Sequence, residues 1–200
     1  MTTPLPEPRS ADRILLSSLA LFSTKGYDAT SVREICEAAG ITKPTLYHFY
    51  GSKEGVYRAL VEGVLAPFSA EVERMLAGPG TVRERLRAIA RVYFQRAGTQ
   101  PELVRFIFGL VHNPPSSAPD VAIPRFYESL VAKVAAVVED GVRAGELTAG
   151  HTGVRMLVYM GALAEAVCGF LIIGQPLLSD DLADALVDTV LDGWMPGARR

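Results

Sequence analysis

Short segments of helical periodicity make up the first part of the chain, and each short gap between them contains one glycine. The segments, in which apolar residues recur every three or four positions, cover 11–25, 31–39, 43–50 and 53–76. Gly26 and Gly40 follow the first two segments, as glycine commonly does where a helix ends. Three short helices with a glycine turn between the second and the third have the shape of a helix-turn-helix.

Helical periodicity continues towards the C-terminal end, and no run of alternating strand residues interrupts it. Further helices are predicted over 81–97, 101–112, 120–144, 152–173 and 180–194. A glycine-proline-glycine hinge at 78–80 precedes the first of them, and Pro114, Pro115 and Pro119 mark a loop. The predicted fold class is therefore all-α.

The composition excludes a uniformly basic nucleic-acid binder. The formal net charge is −2, with 49% hydrophobic and 21% charged residues, as in an ordinary globular protein. A small local footprint on DNA remains compatible with that balance. Cys36 and Cys168 lie far apart and form no disulfide framework, and residues 1–10 contain no apolar segment of a secretory signal. These features predict a cytoplasmic location.

The third predicted helix has two faces of different chemistry. At about 100° per residue, Leu46, Phe49 and Tyr50 fall within one arc, which predicts that they pack on the first two helices. The remaining positions, which are predicted to face outward, carry Lys43, Pro44, Thr45, Tyr47 and His48. A cation, hydroxyl groups and an imidazole suit the major groove of DNA and its phosphates.

The residues at the starts of these helices predict N-caps, and those at the start of the fourth helix predict one more phosphate contact. Ser10, Ser31 and Thr42 are expected as N-caps, and Ser31 has the glutamate three residues later that completes a capping box. Ser52 and Lys53 begin the fourth helix, where they offer backbone N–H groups, a hydroxyl and an ammonium to a phosphate.

A longer pattern runs from Arg13 to Val61. It consists of Gly26-Tyr27, Thr30 to Ile35, Ala38 to Lys43, Thr45-Leu46-Tyr47 and Ser52-Lys53-Glu54. The pattern resembles the DNA-binding domain of the TetR (tetracycline-repressor) family of bacterial transcription regulators. The resemblance implies a helix-turn-helix domain over 1–55 and a helical regulatory and dimerisation domain over 56–200. It also implies a homodimer on a near-palindromic operator, with repression relieved by a small molecule.

By position, the resemblance implies DNA contacts from Arg33, Thr42, Lys43, Pro44, Thr45, Tyr47 and Lys53. For Arg33, pairing with Glu34 or Glu37 is the alternative. The sequence departs from the family at 48–50, where the usual order is aromatic, histidine, phenylalanine and this chain has His48-Phe49-Tyr50. Either His48 replaces the usual phosphate-contacting histidine or that contact is missing, and Phe49 is expected to pack inside.

The segment 154–173 is nearly all apolar and long enough to cross a bilayer. Arg155 and Glu165 oppose that interpretation, because charge inside a membrane is costly. The apolar segment and the amphipathic one after it instead predict a four-helix interface between two copies. The expected interface residues are Gly161, Glu165, Gly169, Leu182, Leu186 and Val190. Glu165 would lie buried at this interface or beside a pocket.

The helices over 81–97, 101–112 and 120–144 are expected to enclose a largely apolar pocket for the effector. The candidate apolar lining is Tyr93, Phe94, Phe106, Met156, Tyr159 and Met160, with plain core packing as the alternative for each. Arg105 and His112 are polar groups that would orient a ligand.

Enzyme signatures and metal-ligand spacings are missing from the sequence, so no catalytic activity, cofactor or metal is expected. The main hypothesis is a DNA-binding transcription regulator, with repression favoured over activation. The alternatives are a membrane-associated helical protein, based on 154–173, and a helical enzyme with a vestigial helix-turn-helix.

Overall fold

The computed structural model describes residues 9–112 and 123–193. Within these ranges the chain forms nine helices and no strand, which confirms the all-α fold. The helices are α1 (Ser10–Lys25), α2 (Val32–Ala39), α3 (Lys43–Tyr50), α4 (Lys53–Leu76), α5 (Val82–Thr99), α6 (Pro101–His112), α7 (Ile123–Arg143), α8 (Thr152–Ile173) and α9 (Asp180–Asp192).

The predicted helix bounds hold to within a few residues, and the differences occur at the ends. Ser10 is the first residue of α1 rather than its N-cap, because Arg9 takes the cap position and forms no side-chain cap bond. α5 runs two residues beyond the predicted end. The proline loop around Pro114 and the end of the last predicted helix lie outside the described residues.

Two capping boxes and one left-handed glycine explain why the short helices begin and end where they do. The Ser31 side chain accepts from the Glu34 backbone N–H, while the Glu34 carboxylate accepts from the Ser31 backbone N–H. Thr81 and Glu84 repeat this arrangement at the start of α5. Gly40 ends α2 at φ 62°, a conformation that costs glycine little.

The chain divides into two compact units. The first contains Met1–Ala66 and Glu102–Ile123, and the second contains Pro67–Pro101 and Pro124–Arg200. In the first unit α1, α2 and α3 pack on one another. Its core is built from apolar side chains that include Ile14, Phe22, Ile35, Leu46, Val56, Tyr57, Phe106 and Leu110.

In the second unit, α5 packs on α9 through three arginines and three aspartates at helical spacing. The residues are Arg83, Arg87 and Arg91 on α5 and Asp184, Asp188 and Asp192 on α9. Arg87 Nε lies 3.1 Å from Asp188 Oδ1, and Arg91 Nε lies 2.7 Å from Asp184 Oδ1. Hydrogen bonds from Arg87 and Arg83 lower the pKa of Asp188. The aspartate side of α9 therefore faces α5.

α8 is the one described helix that is long and apolar enough to cross a membrane, a test that core helices of soluble proteins also pass. One face of α8 is buried within the second unit, and it includes Met156, Tyr159, Leu163 and Val167. The Tyr159 hydroxyl donates to the Leu86 carbonyl oxygen at 2.9 Å. Burial raises the pKa of Tyr159, so the phenol remains a donor at neutral pH.

The Tyr159 hydrogen bond predicts a measurable loss of stability on deletion of one oxygen. Tyr159→Phe removes the donor from a fully buried carbonyl and is expected to lower the free energy of unfolding by about 1 kcal/mol. Tyr127→Phe on α7, where the side chain is exposed, is the matched control and should change little. Urea unfolding followed by circular dichroism compares the two, and equal stabilities would contradict the assigned bond.

Candidate nucleic-acid interface

α3 is held by a single fully buried side chain. Leu46 is 0% exposed, whereas Tyr47 and Phe49 are about half exposed. The exposed set around Leu46 is Lys43, Pro44, Tyr47, His48 and Phe49, with Thr45 half-buried. Apart from Phe49, this is the outward face that the sequence predicted.

Phe49 was expected to pack inside, and that expectation was wrong because the side chain is 47% exposed. The buried arc of α3 is centred between Leu46 and Tyr50, which leaves Phe49 beyond its edge. Tyr50 is fixed on the buried side, where its hydroxyl donates to the Ala11 carbonyl oxygen at 3.1 Å. The rings of His48 and Phe49 stand edge to face at 5.2 Å, so an imidazole and an apolar ring lie side by side outside.

Thr42 occupies the N-cap position of α3, but its side chain does not cap the helix. The Thr42 hydroxyl instead lies 2.9 Å from the Thr45 hydroxyl, and either can donate. The expectation of a side-chain cap was therefore wrong, since no backbone N–H of α3 donates to this hydroxyl. Two linked hydroxyls stand at the start of α3.

Arg33 and Glu37 form an exposed pair on α2, with 3.5 Å between Arg33 Nε and Glu37 Oε1. Their side chains are 75% and 65% exposed, so water competes strongly for this pair. Glu34 is engaged elsewhere, with Lys25 and with the cap at Ser31. The Lys25 ammonium and the Ser31 donors lower the pKa of Glu34 to about 2.

Lys53 has a role that the sequence did not reveal. Its ammonium donates to the carbonyl oxygens of Tyr27 and Thr30, both at 2.9 Å, and lies 4.0 Å from the centre of the Tyr27 ring. Lys53 thus ties the start of α4 to the loop between α1 and α2. One ammonium hydrogen remains for the predicted phosphate contact.

The turn between α3 and α4 is equally constrained. A Cβ on Gly55 would lie 1.8 Å from the Tyr50 carbonyl oxygen, so only glycine permits this close approach. The Gly55 backbone N–H donates to the Ser52 hydroxyl oxygen at 3.1 Å, and the Ser52 O–H can still donate to the expected phosphate. Lys53 and Gly55 together hold α3 in a fixed place within the first unit.

Comparison with known proteins finds a family model that matches the part of the chain with this geometry. Residues 14–60 match the model of the tetR family of bacterial regulatory proteins. These residues form a TetR-type DNA-binding domain. The chain is 29% identical over 104 residues to the transcriptional activator FasR of Mycolicibacterium smegmatis, a match that covers 52% of this chain and 48% of that protein. The chain thus spans about half the length of this curated relative.

Solved structures of transcriptional regulators share the fold over nearly the whole chain. The ketosteroid transcriptional regulator KstR2 of Mycobacterium tuberculosis superposes with a TM-score of 0.76 at 21% identity, covering 98% of this chain and 100% of that one. FadR of Bacillus subtilis, solved with stearoyl-CoA, gives 0.72 at 15% identity and covers 94% and 99%. The fold is therefore a helix-turn-helix domain followed by a helical domain, as in these regulators.

The candidate effector residues fall into two groups. Phe94, Met156 and Tyr159 are buried in the second unit, and Tyr93 and Met160 are half-buried there. Arg105 and Phe106 belong to the first unit, where Phe106 is part of the core. The side chain of His112 lies outside the described residues.

The candidate dimer residues lie on one exposed side of α8 and on α9. Gly161 and Glu165 are exposed, and Leu182, Leu186 and Val190 are half-buried. Contacts within one copy of the chain already explain a glycine at position 169, because a Cβ there would lie 2.6 Å from the Gln175 carbonyl oxygen. The sequence did not single out the exposed apolar neighbours Val154, Leu157, Val158 and Ile172, although they share the helical spacing of Gly161 and Glu165.

The low pKa of Glu34 predicts acid-dependent stability. Because this pKa is about 2 in the folded chain and 4.5 ordinarily, the stabilisation is complete above pH 4.5 and is lost as the pH falls towards 2. Glu34→Gln retains a capping oxygen but cannot ionise, so it should be less stable than wild type at pH 7 and nearly equal at pH 2.

Urea midpoints at several pH values test this expectation. Lys25→Met, which removes the main cause of the low pKa, should reproduce part of the loss at pH 7. A difference between wild type and Glu34→Gln that stays constant from pH 7 to pH 2 would contradict the assignment.

Proposed function

We propose that this TetR-family chain is a cytoplasmic transcription regulator that binds a double-stranded DNA operator as a homodimer. The observation that carries the proposal is the outward face of α3, on which a cation, hydroxyls, an imidazole and two aromatic rings surround the buried Leu46. Recognition helices enter the major groove with such a face, while neighbouring residues fix the register on phosphates.

The side chains of α3 differ in the DNA groups that they suit. Lys43 and the linked hydroxyls of Thr42 and Thr45 match base-edge acceptors and phosphates at the start of the helix. Tyr47 offers a phenol to a phosphate. Phe49, exposed where the family usually has histidine, suits contact with a thymine methyl group, and His48 beside it supplies the polar contact.

Lys43 gives the sharpest test of DNA contact. Lys43→Ala is expected to weaken binding to a duplex of arbitrary sequence and to reduce the slope of log affinity against log salt by about one unit. Arg125→Ala, which removes an exposed cation from α7, is the matched control and should leave the slope unchanged. Fluorescence anisotropy across a salt series measures both, and identical slopes would remove Lys43 from the contact face.

The homodimer is supported by an apolar stripe on α8 that residues 9–112 and 123–193 leave uncovered. Leu157 is 74% exposed, Val154 and Val158 are about half exposed, and Ile172 continues the same face. Apolar patches of this kind mark interaction surfaces. Pairing α8 and α9 with a second copy would give a four-helix interface that buries Glu165. Binding of both copies to successive major grooves requires the two recognition helices to lie about 34–36 Å apart.

Gly161 allows the interface to be tested without disturbing the monomer. A Cβ on Gly161 or on Gly63 meets no atom within 4 Å. Gly161→Trp should therefore fold but block the partner helix, whereas the matched Gly63→Trp on α4 should still form the dimer. Sedimentation in detergent-free buffer measures this, and the interface assignment fails if Gly161→Trp remains a dimer. A wild-type chain that needs detergent would favour the membrane alternative.

The regulatory signal is proposed to be a largely apolar small molecule in the second unit. Tyr93, Phe94, Met156, Tyr159 and Met160 are the candidate lining, and the neighbour that was solved with stearoyl-CoA supports an apolar effector. A ligand that prefers one conformation shifts the spacing of the recognition helices by its differential affinity. Release from the operator on ligand binding, and hence repression, is the favoured direction.

A further inference from the structure

Glu165 lies on the centre line of the apolar stripe of α8. At about 100° per residue, its side chain falls within about 40° of those of Val154 and Ile172 and of the Gly161 position. Val154 is 55% exposed and Ile172 is 74% exposed, and Glu165 is exposed with them. Glu165 is also the one acidic residue of α8. A surface that is otherwise apolar therefore carries one carboxylate at its middle.

α8 and α9 offer no exposed cation to this carboxylate. The sequence contains no lysine, arginine or histidine between Arg155 and Arg199. Arg155 itself is buried, and its guanidinium donates to the Thr148 carbonyl oxygen at 2.7 Å. The acidic residues of α9 are aspartates, so this helix adds negative charge only.

The charges of the helices packed on α8 are engaged elsewhere. α5 and α9 both pack on α8, and their arginines and aspartates pair with one another. Arg85 and Arg96 project from the opposite side of α5, where Arg96 binds Glu71 of α4. The titratable groups near Glu165 are the Cys168 thiol, one turn along α8, and the Tyr93 phenol of α5 close to that thiol. Neither becomes a cation, so neither stabilises a buried carboxylate.

A twofold axis brings two copies of Glu165 together. Such an axis pairs a surface with itself, so a stripe from Val154 to Ile172 places the axis near its middle, level with Leu163. Glu165 lies two residues further along, a rise of about 3 Å, which separates the two copies by about 6 Å along antiparallel helices. Two like charges this close in apolar surroundings repel each other, and a proton shared between the carboxyl groups removes the repulsion.

We propose that the homodimer takes up one proton as it forms, and that the two copies of Glu165 share this proton. The inference rests on the homodimer proposed above. The protonated carboxyl donates to the carboxylate oxygen of its copy, a charge-assisted hydrogen bond that satisfies both groups. Because the dimer binds a proton that two separate chains do not bind, acid favours the dimer. Occupancy of a two-half-site operator would then respond to pH.

Sedimentation equilibrium of the full chain, over a dilution series from pH 7 to pH 5, measures the dissociation constant of the dimer. The wild-type constant should fall about tenfold for each pH unit, because one proton is bound for each dimer. Glu165→Gln keeps the shape of the side chain and removes its charge. This variant should dimerise at least about tenfold more tightly than wild type at pH 7 and lose most of the pH dependence.

Three controls separate this proton from other effects of acid. Glu128→Gln makes the same change at an exposed acid of α7 and should keep the wild-type pH dependence. Histidine also changes charge between pH 5 and 8, so His151→Gln at the start of α8 should keep it as well. The formal net charge is only −2 at pH 7, and acid brings it near zero, where proteins associate unspecifically. Gly161→Trp should nevertheless stay monomeric throughout.

The outcomes distinguish the shared proton from the homodimer itself. A wild-type dimer whose dissociation constant does not change with pH would overturn the shared proton and leave the homodimer intact. A Glu165→Gln dimer weaker than wild type at pH 7 would also overturn it, because the carboxylate would then be binding a cation. A wild-type chain that stays monomeric at every pH would refute both proposals together.

Discussion

The burial of Leu46 decides which side chains of α3 face outward. α3 has only eight residues and would not be stable alone, so its orientation comes from packing on α1 and α2. Leu46 supplies the fully buried contact, and Tyr50 adds a hydrogen bond to Ala11. Every proposed DNA contact on α3 depends on that orientation, because a rotation about the helix axis would exchange Lys43 and Tyr47 for apolar residues.

The ends of α3 are fixed by contacts that a buried leucine alone does not provide. Gly40 makes the turn from α2, and Gly55 allows α4 to approach the last carbonyl groups of α3. Lys53 then joins α4 to the loop after α1 through two carbonyl oxygens. A recognition helix that is displaced loses all of its base contacts at once. The contacts of Gly40, Gly55 and Lys53 therefore matter as much to DNA binding as the side chains that touch DNA.

The sequence predicted the parts of this structure that local rules control. Caps and glycines such as Ser31, Glu34 and Gly40 set helix ends, and the recurrence of apolar residues set the buried faces. The wrong expectations concern the exact side-chain environment. Phe49 lies just outside the buried arc of α3, and the centre of that arc depends on how α3 packs on α1 and α2. The Thr42 hydroxyl forms a hydrogen bond with the Thr45 hydroxyl instead of with a backbone N–H.

The sequence could not predict which residues distant in the chain contact one another. Periodicity tells which face of a helix is apolar but not which neighbour covers it, so Phe106 was grouped with residues of the second unit although it completes the core of the first. Lys53 was expected to contact a phosphate, because a lysine at the start of a helix can bind an anion. The same lysine can donate to backbone carbonyls, and the sequence does not show that the loop between α1 and α2 lies within its reach. The family resemblance supplied the DNA-contact positions, which residue chemistry alone left less specific.

The central claim is that two copies of the outward face of α3 read DNA together. Selection of bound fragments from random genomic DNA tests it most directly, because the enriched sequence contains both half-sites and their spacing. We predict an inverted repeat whose half-site centres lie about 34–36 Å apart, one turn of the double helix. Enrichment of a lone half-site, or of no sequence at all, would contradict it.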